Sequence, residues 1–181
     1  MLIETLIIDL SKDPFNPELN FAVALEYDNS KQIGSAVSFY LRTAEYGKTS
    51  HSKLVYASLI KLAKCFEEQN DRLTTVSNCI LQAIAYQPNR PEGYFWMARF
   101  FERQRQYQES YVWAEIGLQH NSLAETDIDL EFTPYCLLFE KGVASWWIGR
   151  KDEAVMIFND LLTYDLNSEY RTSVVNNLAT I

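Results

Sequence analysis

The chain contains 181 residues, of which 48% are apolar and 14% aromatic, which is enough to build the core of one folded domain. Lys and Arg number 16 and Asp and Glu number 24, so the formal net charge is −8. This sign opposes binding to nucleic acid and to anionic lipid surfaces. No apolar run approaches the ~20 residues of a membrane-spanning helix, and no basic leader opens the chain. We therefore expect a cytoplasmic protein without a nucleic acid partner and without membrane insertion.

The six glycines and five prolines fall mainly at predicted helix ends or helix crossings, and period-2 alternation is weak, so the chain is predicted to be all-α. A leading helix over residues 2–11 ends before Pro14. Pro17 suits the first turn of the next helix, where a missing N–H costs nothing. Gly47 is predicted to end a helix at a positive φ, and Ser168 is predicted to cap the last helix.

Apolar positions recur at helical spacings in four further helical pairs. The predicted pairs cover residues 17–46, 53–87, 91–119 and 134–163, and a capping helix covers residues 168–180. Residues 120–133 are acidic and lack a helical stripe, so we expect an irregular insert that loops out of the array. The last helix is polar on the face opposite its apolar one, which is typical of the end of a helical stack.

Equivalent positions of the four pairs carry equivalent residues. Small residues occupy the predicted crossing of each pair: Ala24, Ala63, Ala98 and Gly142 on the first helices, and Ala36, Val76, Ser110 and Ala154 on the second. A helical pair that recurs about every 35 residues resembles the tetratricopeptide repeat (TPR). The resemblance implies one domain over residues 1–181, a TPR-like α-solenoid of antiparallel helix pairs with a C-terminal capping helix.

Several segments of the sequence resemble one particular group of TPR-containing proteins. The segments that carry it are DPFNPELNFAVALEY, SAVSFYLRTAEY, AYQPNRPEGYFWMARFFERQRQYQESYVWAEIGL, ASWWIGRKDEAVMIFNDLL and YRTSVVNNL. Together they are similar to the TPR-like region that follows the catalytic domain in family 2 glycosyltransferases of bacteria and viruses. This implies a non-catalytic scaffold that is associated with, or excised from, a glycosyltransferase. The leading helix, which matches the second helix of a pair without its first, fits the hypothesis that the chain derives from something larger.

No motif of catalysis or metal binding stands in a suitable context. Asp127-Ile128-Asp129 is an Asp-x-Asp triplet, with which glycosyltransferases hold a divalent metal ion on a nucleotide diphosphate, but those triplets follow a strand of an α/β sheet. No such sheet is predicted here, so we expect an exposed loop. His51 and His120 lie at polar segments between helices, outside any known motif. The cysteines form no metal-binding cluster and are expected to be buried, reduced thiols: Cys65, Cys79 and Cys136. We predict no catalytic residue, no metal site and no cofactor.

One side of each first helix is expected to face the concave surface of the array. By the repeat alignment, this predicted face carries Phe21, Leu25, Ile60, Lys64, Phe95, Arg99, Arg103, Phe139, Val143 and Trp147. Such a row can cradle a partner helix or an extended peptide, with Arg99 and Arg103 binding its carboxylates. The partner is then a protein or peptide, a glycosyltransferase domain, or a second copy of the chain.

Two alternatives remain open. In the first, the chain is an accessory domain of a sugar-transferring enzyme whose catalytic domain is not in this chain. In the second, it is a structural homo-oligomerisation module that buries the aromatic row at an interface between copies.

Overall fold

The structure is a computed structural model that describes residues 3–69, 72–120 and 127–180. These residues form ten α-helices and no strand, which confirms the all-α prediction. The helices are α1 (Ile3–Lys12), α2 (Pro17–Asn29), α3 (Ile33–Tyr46), α4 (Ser52–Glu68), α5 (Leu73–Tyr86), α6 (Pro91–Arg103), α7 (Tyr107–Leu118), α8 (Cys136–Trp147), α9 (Lys151–Leu161) and α10 (Ser168–Thr180). Residue 2 of the predicted leading helix and residues 121–126 of the predicted insert lie outside the described residues.

The chain divides into two compact units, residues 1–88 and residues 89–181, called unit 1 and unit 2 below. In unit 1, α1 packs on α2, α2 on α3, α3 on α4, and α4 on α5. In unit 2, α6 packs on α7, α7 on α8, α8 on α9, and α9 on α10, while α6 also packs on α8. Helices that follow each other in sequence are thus neighbours within each unit, as in a helical repeat. Among the described helices, none combines the length and the apolarity that crossing a membrane requires.

The small residues predicted at the helix crossings are buried. Ala24 and Ala36 in unit 1, and Ala98, Ser110 and Ala154 in unit 2, each have 0% exposure. Short side chains at a crossing let two helices approach closely while the larger neighbours interdigitate around them. The spacing of small and large residues in the sequence therefore determines which helix faces meet.

Three helix pairs are connected by the same kind of turn. After the first helix of each pair comes a residue at positive φ, namely Lys31 at 58°, Arg105 at 58° and Gly149 at 85°. The following N–H then bonds back by five residues, as from Gln32 N to Tyr27 O at 2.8 Å, and the other two turns have the same bond at 2.9 and 2.8 Å. This is the Schellman arrangement, which satisfies carbonyls left free at a helix end. Only one of the three turns has glycine at the left-handed position.

We expect Gly149→Ala to lower the free energy of unfolding of unit 2 by about 1 kcal/mol, because a Cβ is disfavoured in the left-handed region. Space is not the reason, since nothing lies within 4 Å of a Cβ built at Gly149. Urea denaturation followed by tryptophan fluorescence measures the effect, because all four tryptophans lie in unit 2. An unchanged urea midpoint would show that the backbone conformation of this turn costs alanine nothing.

Gly47 is needed for space, not for its backbone conformation. It follows α3 at a φ of −82°, so the predicted positive φ is wrong. A Cβ at this position would lie 2.9 Å from Thr43 O and 3.0 Å from Val55 Cγ2. The glycine therefore lets the chain leave α3 close against the start of α4.

Asparagine side chains cap two helices. Asn16 Oδ1 accepts a hydrogen bond from Leu19 N at 3.0 Å at the start of α2. At the start of α10, Asn167 Oδ1 accepts from Tyr170 N at 2.9 Å. The cap of α10 is therefore Asn167, one residue before the predicted Ser168, which is the first residue of the helix. Either residue type can cap a helix, and the backbone path selects the asparagine.

The described end of the insert folds onto α6. Leu130 is 3% exposed, and its carbonyl accepts a hydrogen bond from Trp96 Nε1 at 3.0 Å. Phe132 packs edge-on against Phe95, with ring centroids 5.7 Å apart. Residues 130–132 therefore belong to the packing of unit 2, where the sequence predicted a segment that loops out of the array.

Candidate functional site

The predicted face is mostly buried in unit 1. Ile60 is 0% exposed and Phe21 is 6% exposed, and the Phe21 ring lies 5.7 Å from the ring of Tyr40 in α3. Leu25 and Lys64 are half-buried. Phe21 and Ile60 therefore pack within unit 1, and only parts of Leu25 and Lys64 are accessible.

In unit 2 the exposure of the predicted face increases from buried to exposed side chains along its helices. Phe95 is fully buried, and Trp147 is 59% exposed. Between these extremes, Arg99, Phe139 and Val143 are half-buried and Arg103 is exposed. The two helices that carry these residues, α6 and α8, pack on each other. We call Arg99, Arg103, Phe139, Val143 and Trp147 the α6–α8 face.

Phe95 belongs to an aromatic core beneath this face. Its ring lies 5.1 Å from that of Trp96 and 5.7 Å from that of Phe132. The guanidinium carbon of Arg99 lies 5.8 Å from the ring centroids of both Phe95 and Trp96, within the range of a cation–π interaction. Phe95 thus supports Arg99 from below and is not itself accessible to a partner.

Trp147 forms a rigid aromatic surface together with Tyr107. Their rings are stacked with centroids 5.0 Å apart and an interplanar angle of 9°. Trp147 ends α8 and Tyr107 begins α7, so the stack joins two helices while leaving most of the indole exposed. The repeat alignment predicts Tyr107 as a packing residue that closes the turn between α6 and α7, and no signal in the sequence pointed to its contact with Trp147.

Glu140 is a buried carboxyl that the sequence analysis missed. It is 4% exposed and lies on α8 between Phe139 and Lys141. Burial raises the pKa of Glu140 to about 7, with Glu102 adding to the shift and Arg99 and Arg103 opposing it. The residues three and four positions away along the helix are apolar, namely Cys136, Leu137, Val143 and Ala144. That was the available signal, but glutamate is rarely buried, so the sequence favoured exposure.

A network of charged side chains ties α7, α8 and α9 together. Lys141 Nζ lies 2.6 Å from a Glu115 oxygen and 3.2 Å from a Glu153 oxygen. Tyr111 donates its hydroxyl to Glu153 at 2.9 Å and accepts from Arg150 at 2.8 Å. Burial alone would lower the pKa of Lys141, but its bonds to the two glutamates outweigh burial and raise it. Because these groups bind one another, we interpret the network as a connection between helices.

The other residues considered for catalysis or metal binding do not form a common site among the described residues. Asp127 and Asp129 are exposed, and Asp129 Oδ1 accepts a hydrogen bond from Glu131 N at 2.8 Å. His120 stacks on the ring of Tyr94 at 5.4 Å, and His51 Nε2 lies 3.6 Å from a Glu18 oxygen. Across residues 3–69, 72–120 and 127–180, no three His, Cys, Asp or Glu side chains are grouped so that they could hold a metal ion. The three cysteines are buried and unpaired, as predicted.

Comparison with known proteins identifies the fold. No protein-family model matches the sequence, and no curated protein matches it. Among solved structures, PilW, a widely conserved type IV pilus biogenesis factor, is similar with a TM-score of 0.73 and 14% identity, over 95% of this chain and 73% of that chain. MamA is similar with a TM-score of 0.68 and 17% identity, over 96% and 89% of the two chains. The TPR-like repeats of a kinesin light chain from Podosopora anserina match with a TM-score of 0.63 and 18% identity, over 91% and 86%.

The chain has the TPR-like repeat fold. This agrees with the resemblance inferred from the small residues at the helix crossings, and the agreement rests on backbone geometry, because the sequence identities are 18% or less in these three cases.

Proposed function

We propose that this chain is a non-catalytic protein-interaction module of the TPR type, and that a partner binds the α6–α8 face. The observation that carries the proposal is Trp147, which is 59% exposed although it is held flat against Tyr107. Tryptophan and arginine are the residues most enriched among those that dominate binding energy at protein interfaces. A stacked indole loses little conformational freedom on binding, which lowers the entropic cost of association.

The charges on the α6–α8 face favour a partner segment that carries both carboxylates and apolar side chains. Arg99 and Arg103 lie one helical turn apart on α6, and guanidinium groups bind carboxylates through paired hydrogen bonds. Phe139, Val143 and Trp147 supply apolar surface on the adjacent helix α8. The net charge of −8 repels an acidic partner at long range, but salt screens that repulsion beyond about 8 Å, so the local arginines dominate at contact.

Replacing Trp147 with alanine is expected to weaken partner binding by about tenfold or more, because a large exposed aromatic side chain is truncated. The full wild-type chain serves as bait, and a protein that it retains is identified and purified. Its affinity for both chains is then measured by calorimetry. Met156→Ala on α9 is the matched control, because Met156 is 71% exposed and lies outside the α6–α8 face; it should bind as the wild type does.

Equal binding by the wild type and Trp147→Ala would contradict the α6–α8 face as the binding surface. Sedimentation of the same variants tests the alternative that the chain is a homo-oligomerisation module. A wild-type oligomer that dissociates in Trp147→Ala would favour self-association at this surface, and a monomer in both cases would contradict it.

We further propose that the partner is a glycosyltransferase. The support is the similarity of this chain to the region that follows the catalytic domain in family 2 glycosyltransferases. An α/β domain encoded upstream in the same reading frame would favour the alternative of an accessory domain in one enzyme. Capture of an unrelated partner that depends on Trp147 would contradict the glycosyltransferase association but not the interaction role.

We also propose that the chain is located in the cytoplasm. It is supported by the three buried, unpaired cysteines, because disulfides are rare where the cytosolic redox systems keep thiols reduced.

A further inference from the structure

The helix α5 in unit 1 carries no charged side chain. Its 14 residues include no Asp, Glu, Lys or Arg, whereas each of the other nine described helices contains at least one of them. The corresponding second helix of the preceding pair, α3, has Arg42 and Glu45 exposed. Charged residues are depleted at the centres of protein interfaces and are common on free helix surfaces. The composition of α5 is therefore that of a covered helix.

The outer side of α5 is nevertheless exposed and includes large apolar side chains. Leu73, Leu81 and Tyr86 are 44%, 42% and 37% exposed. Tyr86 is held in place, because its hydroxyl donates a hydrogen bond to the carbonyl of Lys48. The inner side of the helix packs on α4 and carries its buried residues, namely Val76, Cys79, Ile80 and Ala83. Exposed apolar surface of this kind marks interaction sites.

The residues opposite the buried side of α5 follow the spacing at which two helices interlock. They recur at intervals of four, three and four positions, which is the pattern of a coiled-coil seam: Thr74, Asn78, Leu81 and Ala85. The small side chains of Thr74 and Ala85 allow a second helix to approach closely. The seam is flanked by Leu73, Ser77, Gln82 and Tyr86. We call these eight residues the α5 face.

The α5 face matches itself when a second copy of α5 lies antiparallel to the first. With a twofold axis at the middle of the helix, four pairs of positions face each other across the two copies: Thr74 and Ala85, Asn78 and Leu81, Leu73 and Tyr86, Ser77 and Gln82. The apolar side chains of Leu73 and Tyr86 then meet, and Ser77 and Gln82 offer each other hydrogen-bonding groups. Pairing of one surface with itself about a twofold axis is the usual construction of homodimers.

We propose that α5 is a dimerisation helix, on which a second copy of this chain packs its own α5 antiparallel. Charge complementarity selects this occupant. A segment with charged side chains would leave them unpaired against the neutral α5 face, which costs free energy, and among the described helices only α5 is itself uncharged. The net charge of −8 makes two copies repel each other, and a neutral surface adds least to that repulsion. The α5 face belongs to unit 1 and is independent of the α6–α8 face in unit 2.

Sedimentation of the full chain at concentrations up to about 0.5 mM tests the proposal. The wild type should form dimers, and Leu81→Glu should raise their dissociation constant about tenfold or more, because it places a carboxylate at the centre of the interface. Leu41→Glu is the matched control: Leu41 is 51% exposed and holds the equivalent position on α3. It should dimerise as the wild type does, and so should Trp147→Ala.

A wild type that stays monomeric at the highest concentration would overturn the proposal. So would a dimer that Leu81→Glu weakens no more than Leu41→Glu does. A dimer that dissociates in Trp147→Ala and persists in Leu81→Glu would place self-association on the α6–α8 face instead.

Cross-linking tests the antiparallel register with two conservative variants, Thr74→Cys and Ala85→Cys, at exposed positions of α5. Under mild oxidation a mixture of the two variants should yield a covalent dimer, because positions 74 and 85 face each other. Each variant alone should not, since identical positions are then separated by about 16 Å along the helix axis, too far for a disulfide. The native cysteines are buried. Cross-linking of either variant alone as strongly as the mixture, or of neither, would overturn the proposal.

Discussion

Phe95→Ala is expected to lower the free energy of unfolding of unit 2 by about 3 to 5 kcal/mol, the range for truncating a fully buried aromatic side chain. The ring is 0% exposed, and its centroid lies 5.1 Å from that of the Trp96 ring and 5.7 Å from that of the Phe132 ring. Alanine would leave a cavity beneath α6 and remove the ring over which Arg99 lies. Urea denaturation followed by tryptophan fluorescence measures the loss.

Val112→Ala on α7 is the matched control, because Val112 is 45% exposed. It should change the unfolding free energy by less than about 0.5 kcal/mol, as surface substitutions usually do. If Phe95→Ala were as stable as this control, Phe95 would not be a core residue, and its predicted place on an accessible face would have to be reconsidered.

Gly117→Ala is expected to destabilise unit 2 by about 1 to 3 kcal/mol, because it overpacks a close contact between helices. A Cβ on Gly117 would lie 2.7 Å from Tyr94 Cβ and 2.8 and 2.9 Å from the two Cδ atoms of Leu137. The Leu137 methyl groups can rotate away, but Tyr94 Cβ is fixed to the backbone of α6. The helices α6 and α7 would therefore have to separate, and thermal or urea denaturation would detect the loss.

The sign of this effect is opposite to the one that helix propensity predicts. In an exposed helix position, alanine is more favourable than glycine by about 1 kcal/mol. Gly34→Ala provides that comparison within the same chain, because Gly34 lies in α3 with nothing within 4 Å of an added Cβ. Stabilisation by both substitutions would show that α6 and α7 can move apart without cost at Gly117.

Most of the fold was predictable because its signals are local. Pro17 and Pro91 stand at the first position of α2 and α6, as a residue without an N–H should. The left-handed turn residues Lys31 and Arg105 were not identified, because only glycine marks that conformation in a sequence.

The candidate site was less predictable, because accessibility depends on several elements at once. Helical spacing placed Phe95 and Trp147 on equivalent sides of first helices, yet one is fully buried and the other is 59% exposed. One of the residues that pack on Phe95 is Phe132, in an insert that has no helical pattern. The spacing of residues within one repeat cannot predict burial by a residue that lies outside the repeat.

The sequence by itself determined an all-α chain of TPR-like helix pairs, since the spacing of small and large residues within about 35 positions decides which faces of two adjacent helices meet. Only the tertiary structure decided what remains accessible on those helices and which charges are buried between them. The hydrogen bond from Trp96 to the carbonyl of Leu130 joins residues 34 apart, and the packing of the Tyr170 ring against Phe139 joins α10 to α8. Such contacts depend on where the chain returns in space, and burial is a property of the whole assembly of helices, not of any one pattern along the chain.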